Sequence, residues 1–115
     1  MAGTRLKGVH ALVTGSSSGI GAAIALRVAR EGANVAVHYR GHPERATAVL
    51  EQVEATGAGG FLVHGDMAKL DEVQRMIAQT IEHFGSLELL VNNAGIEKNQ
   101  PFLEVTPDDF DRVLE

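Results

Sequence analysis

The sequence predicts an α/β fold in which a parallel sheet is covered by helices on both faces. Short apolar segments rich in β-branched residues alternate with longer segments that have the apolar spacing of helices. The first apolar segment also runs directly into a glycine-rich loop, residues 14–21, which opens a helical pattern. The length of 115 residues suits one domain of modest size.

The first unit is a strand, a loop and a helix, followed by a second strand. The apolar segment 9–13 predicts strand β1, and the apolar spacing over 20–30 predicts helix α1. Gly32 is typical of the position just after a helix end. The β-branched segment 34–39 then predicts strand β2.

The second helix begins at a proline. Gly41 and Pro43 end β2, and proline is well suited to the first turn of a helix. The apolar face over 46–53 predicts helix α2, which the glycines in 57–60 end. Segment 61–64 predicts strand β3.

A third helix and a fourth strand complete the predicted sheet. A stripe at i, i+3, i+4 spacing from Val73 to Phe84 predicts helix α3, and the apolar segment 87–91 predicts strand β4. A further helix is expected near Pro107, because a threonine precedes this proline and two aspartates follow it. Right-handed crossovers then give the strand order 3-2-1-4, which is a Rossmann-like half.

The glycine-rich loop predicts a phosphate-binding site. Backbone N–H groups at a helix N-terminus lack intrahelical partners and favour anions. Gly15 would allow the turn out of β1, Gly19 would let the backbone approach a pyrophosphate, and Gly21 would let α1 pack closely on the sheet. The spacing differs from the usual G-x-G-x-x-G, so on the residues alone a plain glycine-rich turn is an alternative interpretation.

Composition argues against several classes of partner. The formal net charge is −5 and the basic residues are scattered, which disfavours nucleic-acid and anionic membrane surfaces. Without cysteine there is no disulfide or thiolate metal site, and the five histidines have no metal-ligand spacing. We interpret the histidines as packed or solvated. We therefore expect a cytoplasmic protein with no metal site, no nucleic-acid partner and no membrane partner.

Three motifs, each at the end of a predicted strand, together resemble the short-chain dehydrogenase/reductase family. They are the glycine-rich loop 14–21, Asp66 just after β3, and Asn-Asn-Ala-Gly at 92–95 just after β4. The resemblance covers the given chain but only the N-terminal half of a typical member. It implies that residues 1–115 are an NAD(P)-binding Rossmann domain that ends before the catalytic half.

The resemblance also implies which residues bind the dinucleotide. The pyrophosphate and its adjoining ribose would be lined by Gly15, Ser17, Ser18, Gly19, Ile20 and Gly21. Asp66 would accept a hydrogen bond from the adenine amino group, with the backbone of Met67 beside it.

The motif after β4 would contact the ribose and nicotinamide. Asn93, Ala94 and Gly95 would lie beside the adenine-side ribose, and Ile96 would lie near the nicotinamide end. Asn92 is expected to have a structural part, tying β4 to neighbouring backbone.

The end of β2 favours NADP over NAD. Enzymes that prefer NAD usually place an acidic residue there, and the segment Val-His-Tyr-Arg at 37–40 has none. Beside Tyr39, which we include in the predicted cofactor site, Arg40 could pair with a 2′-phosphate or be a solvated surface residue. Ser18 stands where many NADP-using members have a second basic residue, so use of NAD stays open.

Two branches of the family share features with this chain. Tyr39-Arg40 and the segment 93–97 resemble glucose 1-dehydrogenases, in which case Glu97 would face a sugar rather than water. The 3-oxoacyl-carrier-protein reductases share most of the same features. The resemblance implies hydride transfer between a nicotinamide cofactor and a small alcohol or carbonyl substrate, with a sugar among the candidates, in a homo-oligomeric parent.

The catalytic residues of the family have no counterpart here. Its members use a tyrosine with a lysine four residues later, because hydride transfer at carbon needs a matched proton transfer at oxygen. The single tyrosine, Tyr39, has Pro43 at that spacing, so we assign no catalytic residue. We expect the 115-residue chain alone to be inactive. The alternative is a non-catalytic dinucleotide-binding or interaction module.

Overall fold

A computed structural model describes residues 3–93 of the chain. Four parallel strands form one sheet in the order β3-β2-β1-β4. The strands are β1 (His10–Val13), β2 (Asn34–Tyr39), β3 (Gly60–His64) and β4 (Leu89–Val91). The helices that connect them are α1 (Gly19–Arg30), α2 (Pro43–Ala55) and α3 (Leu70–Phe84). The predicted Rossmann-like class and the predicted 3-2-1-4 order are confirmed.

Two element boundaries differ from the sequence-based ones by more than one residue. Helix α3 begins at Leu70 rather than at Val73, since Asp71 and Glu72 provide an acidic first turn that complements the helix dipole. Strand β4 begins at Leu89, two residues later than expected. The helix expected near Pro107 lies outside the described residues.

The two faces of the sheet carry separate apolar clusters. Because successive strand residues point to opposite faces, Ala11 and Val13 pack under α1 and α2, while Leu12 packs under α3. The α3 side is smaller, and its buried members are Leu12, Ala36, Val63 and Met76. Within the described residues, helices therefore cover both faces of the sheet, as predicted.

The apolar stripe of α3 is only partly buried. Met76 and Thr80 are buried, and the Thr80 hydroxyl is satisfied by donating to the Met76 carbonyl at 2.8 Å. Ile81, which we predicted to lie in the same stripe, is 43% exposed. It lies at the edge of the stripe, because α3 covers its face of the described sheet without a neighbouring helix.

No helix within residues 3–93 has both the length and the apolar character that a membrane crossing needs.

Candidate functional site

The glycine-rich loop between β1 and α1 depends on glycine at three positions. Gly15 (φ 64°) and Gly19 (φ 59°) have left-handed backbone, which side chains strain. At Gly21 the reason is steric, because a Cβ there would overlap the carbonyl oxygen of Gly15 and press against the side-chain amide of Asn93. The three glycines predicted from the sequence are therefore each required by the local geometry.

The N–H groups of this loop divide into two sets. Those of Gly15 and Ser16 are engaged by β2, donating to His38 Nδ1 at 2.7 Å and to the His38 carbonyl at 3.2 Å. Those of Gly19 and Ile20, at the start of α1, donate to no other group within residues 3–93. The helix end thus presents N–H groups that suit an anion.

His38 lies beneath the loop and is almost completely buried, at 2% exposure. Its Nε2 is 2.8 Å from the carbonyl oxygen of Gly65, which can only accept a hydrogen bond. Because Gly15 donates to Nδ1, the ring is the neutral tautomer with its proton on Nε2. Burial is the main cause that lowers the pKa of His38, and the nearby His64 acts in the same direction.

Ser16 completes this buried link. Its hydroxyl oxygen accepts from the His38 backbone N–H at 2.8 Å, and its own N–H donates back to the His38 carbonyl. The interpretation of His38 as a packed histidine agrees with its burial but missed its role in the loop. The contact depends on the approach of two distant segments, so no sequence spacing predicts it.

A cleft of about 230 Å³ opens between the glycine-rich loop and the ends of β2 and β3. The structure brings together half of the predicted cofactor residues around it, namely Gly15, Ser17, Ser18, Tyr39, Arg40, Asp66 and Met67. The other lining residues are His38, Gly41, His42, Arg45 and Ala68.

Several predicted site residues do not line this cleft. Gly19, Ile20 and Gly21 lie where the loop enters α1, and Asn93 is buried beside the loop. Ala94, Gly95 and Ile96 lie outside the described residues.

One wall of the cleft is basic. Arg40 Nη2 is 3.7 Å from Asp66 Oδ2, and its side chain remains 65% exposed. His42 and Arg45 line the same wall, although neither was singled out from the sequence. A basic side chain besides Arg40, that of Arg45 on α2, therefore borders the cleft. The available signal was Pro43, because a helix that begins there projects its first turns toward the end of β2.

Asp66 has a structural role at the edge of the cleft. Its Oδ1 accepts from the Ala68 N–H at 2.8 Å, an aspartate turn, and its own N–H donates to Glu72 Oε1 at 2.9 Å. These contacts fix the loop between β3 and α3. The predicted adenine contact of Asp66 remains a prediction.

After β4, Asn93 rather than Asn92 forms the hydrogen bond to neighbouring backbone. Asn93 is fully buried and its Nδ2 donates to the Gly15 carbonyl at 3.3 Å. Asn92 is exposed, and its Oδ1 accepts from the Thr14 hydroxyl at 3.4 Å. The anchoring of neighbouring backbone that we expected of Asn92 is thus made by Asn93, because the chain turns its side chain under the loop.

Residues 3–93 contain no group of three histidine, aspartate or glutamate side chains placed to hold a metal ion.

The sheet order and the loop at the start of α1 define a Rossmann-like α/β protein. The family model for short chain dehydrogenases matches residues 9–115. The chain belongs to the short-chain dehydrogenase/reductase family, which is a family of oxidoreductases. The resemblance seen in the three motifs is confirmed.

The similar curated proteins are reductases. The chain is 46% identical over 105 residues to the 3-oxoacyl-(acyl-carrier-protein) reductase FabG of Staphylococcus epidermidis, covering 91% of this chain and 43% of that protein. It is 43% identical over 110 residues to versicolorin reductase 1 of Dothistroma septosporum, covering 96% and 42%. The chain therefore spans less than half the length of these relatives.

Solved structures agree with the fold. A short chain dehydrogenase from Burkholderia cenocepacia in complex with NADP has a TM-score of 0.77 and 45% identity, covering 96% of this chain and 45% of that one. A dehydrogenase/reductase from Sinorhizobium meliloti also has a TM-score of 0.77, with 44% identity over 94% of this chain and 43% of that one.

Proposed function

We propose that this chain binds NADP in the cleft beside the glycine-rich loop and serves as the NAD(P)-binding Rossmann domain of a longer oxidoreductase. The observation that carries the proposal is the basic wall formed by Arg40, His42 and Arg45 at the end of β2. A 2′-phosphate is a dianion near neutral pH, and guanidinium groups match its geometry. The wall lies where enzymes that prefer NAD usually hold the ribose with an acid.

The glycine-rich loop supports the pyrophosphate part of the proposal. The N–H groups of Gly19 and Ile20 lack protein partners within residues 3–93, and they lie at the positive end of α1. The absence of a side chain at Gly21 lets this helix end lie close to the loop. A dinucleotide laid from the basic wall across the loop would place its diphosphate at these N–H groups.

The reaction we propose for the whole protein is the NADP-dependent reduction of a carbonyl group. The bound nicotinamide supplies the hydride, and residues 3–93 supply binding and orientation. The similar proteins named as reductases support reduction, and the FabG relative favours a 3-oxoacyl group carried on an acyl carrier protein as the first substrate to test. A sugar substrate remains the alternative from the sequence. A homo-oligomeric parent and a cytoplasmic location also remain predictions.

The cofactor part is tested by Arg40→Ala. We expect the Kd for NADP to rise about 10- to 100-fold, because a charge-assisted hydrogen bond contributes roughly 1.5–3 kcal/mol. The Kd for NAD, which lacks the 2′-phosphate, should change less than about 2-fold. Calorimetric titration of the complete protein with both dinucleotides gives the comparison.

Arg5→Ala is the matched control, since Arg5 is 84% exposed and is not among the residues that line the cleft. It removes the same charge without removing a cleft contact. Equal weakening of NADP and NAD by Arg40→Ala would contradict the 2′-phosphate role.

The reaction is tested by supplying the complete protein with NADPH and a 3-oxoacyl thioester, and in parallel with NADP and glucose. We expect NADPH consumption with the thioester. Turnover with glucose alone would support the sugar alternative, and tight NADP binding without turnover on either substrate would favour a non-catalytic binding module.

A further inference from the structure

His38 contacts two of the loops that border the cleft, from beneath. Its Nδ1 accepts from the Gly15 N–H at 2.7 Å, and its Nε2 donates to the Gly65 carbonyl at 2.8 Å. Gly15 belongs to the glycine-rich loop, and Gly65 begins the loop that carries Asp66 and Met67. A single buried ring therefore spans two loops, each of which also contacts β2 separately, through Ser16 and through the Gly65 N–H.

We propose that His38 is a positioning residue for dinucleotide binding: its Nδ1 accepts from Gly15 and so holds the glycine-rich loop in place, while the Gly65 carbonyl keeps the ring proton on Nε2. The inference rests on the proposed function, because it takes NADP as the ligand of the cleft. It adds a residue outside the glycine-rich, acidic and asparagine motifs from which the site was predicted.

Gly15 is the residue of the glycine-rich loop that the His38 ring contacts. Its left-handed backbone is held by three contacts, which are the His38 ring on its N–H, the Asn93 amide on its carbonyl, and the close approach of Gly21. Without the hydrogen bond to the His38 ring, the partly buried N–H of Gly15 has no partner. This costs free energy, and only a movement of the loop can relieve it. Such movement would displace Ser17 and Ser18, which line the cleft.

The second half of the link acts on the loop after β3. The Gly65 carbonyl accepts from His38, and the Gly65 N–H donates to the Tyr39 carbonyl at 3.2 Å, so both polar backbone groups of Gly65 are held by β2. Gly65 also packs directly against Met76 of α3, whose sulfur would lie 2.7 Å from a Cβ at this position. His38 is thus attached to a firm point on one side and to the glycine-rich loop on the other.

Two conservative substitutions separate these halves. The side-chain oxygen of asparagine can lie near the position of a histidine Nδ1, so His38→Asn keeps an acceptor for Gly15. The longer glutamine places its amide nitrogen near the position of Nε2, so His38→Gln keeps a donor for Gly65. His38→Leu removes both hydrogen bonds and keeps an apolar side chain of comparable size.

The experiment measures the Kd for NADP in the complete protein with each substitution. We expect His38→Asn to remain within about 3-fold of the wild type, and His38→Gln and His38→Leu to bind about 10-fold more weakly, as loss of one hydrogen bond near Gly15 implies. If His38→Leu does not fold, the asparagine and glutamine variants still decide the outcome. Equal weakening in these two, or no weakening in His38→Gln, would overturn the proposal.

A ligand-free measurement separates this proposal from the proposed function. Hydrogen exchange at the Gly15 amide should be slow in the wild type and in His38→Asn, and faster in His38→Gln. Nitrogen-15 spectra should find Nδ1 unprotonated and Nε2 protonated at neutral pH. If the wild type shows these signatures but does not bind NADP, the proposed cofactor is wrong and the hydrogen bonds of His38 still hold. If the ring proton lies on Nδ1, the proposed role of His38 is wrong.

Discussion

The two walls of the cleft are built in different ways. The wall made by the glycine-rich loop is backbone, held from behind by the buried side chains of His38 and Asn93. The wall made by the end of β2 and the start of α2 consists of charged side chains such as Arg40, which is 65% exposed. Substitutions in the first wall should therefore cost folding stability and binding together, whereas substitutions in the second should change only which dinucleotide is preferred.

The strongest test of this contrast is Gly21→Ala. The added Cβ would overlap the Gly15 carbonyl, a backbone group that cannot rotate away. We expect the free energy of unfolding to fall by about 3 kcal/mol, the upper end of overpacking effects. Urea denaturation of the complete protein measures it.

Gly41→Ala is the matched control for Gly21→Ala, since a Cβ at Gly41 meets no atom within 4 Å. Its effect on the free energy of unfolding should stay within about 0.5 kcal/mol. Equal losses in the two variants would mean that the close packing at Gly21 is not what shapes the first wall.

A smaller effect is expected from Arg45→Gln in the basic wall. Arg45 lines the cleft from the first turns of α2. We expect the Kd for NADP to rise about 3-fold, the size of one solvent-exposed charge interaction, with no change in the urea midpoint. A change in NAD affinity of the same size would indicate that Arg45 acts on a part that both dinucleotides share.

The smallest effect is a pH dependence of stability from His38. Burial lowers its folded-state pKa below the unfolded value of about 6.5, so in the window between the two the unfolded chain binds more protons. The stabilisation that comes from neutral His38 is thus complete above about pH 6.5 and is lost as the pH falls toward the folded-state pKa of His38.

This dependence is measured by urea denaturation from about pH 7.5 to about pH 5.5. The free energy of unfolding should fall less steeply in His38→Asn than in the wild type. The other ionisable side chains near the ring are His64 on β3 and Arg40, His42, Arg45 and Asp66 around the cleft, and they are common to both proteins. Identical slopes would indicate that His38 is not the neutral acceptor of the Gly15 N–H.

Features fixed by nearby residues were predictable from the sequence. Gly32 and Gly57 have positive φ just after α1 and α2, where glycine was predicted to end these helices, and Gly85 has the same conformation just after α3. Pro43 begins α2 as expected. These positions depend on the φ values that a single glycine or proline allows, so they can be recognised without knowing the fold.

Features that depend on distant contacts were not predictable. The ring of His38 meets Gly15 and Gly65, which are 23 and 27 residues away in sequence. Asn93 donates to the backbone of Gly15, although a contact with neighbouring backbone was expected of Asn92, which has the same side chain. In both cases the sequence identified a polar residue at a strand end, while the partner was set by how the strands align in the sheet.

The alignment of β2 with its neighbours has a consequence for how this cleft can change. His38 pairs in register with Val63, and Tyr39 pairs with His64. Since consecutive strand residues point to opposite sides, a slip of β2 by one position would bring a phenol ring beneath the glycine-rich loop and move Arg40 from its present place. The apolar contacts of Val35 and Val37 hold the strand in place. They therefore also determine where the His38 imidazole and the Arg40 guanidinium lie. A mutation that loosened the core there would alter dinucleotide preference without touching either polar group.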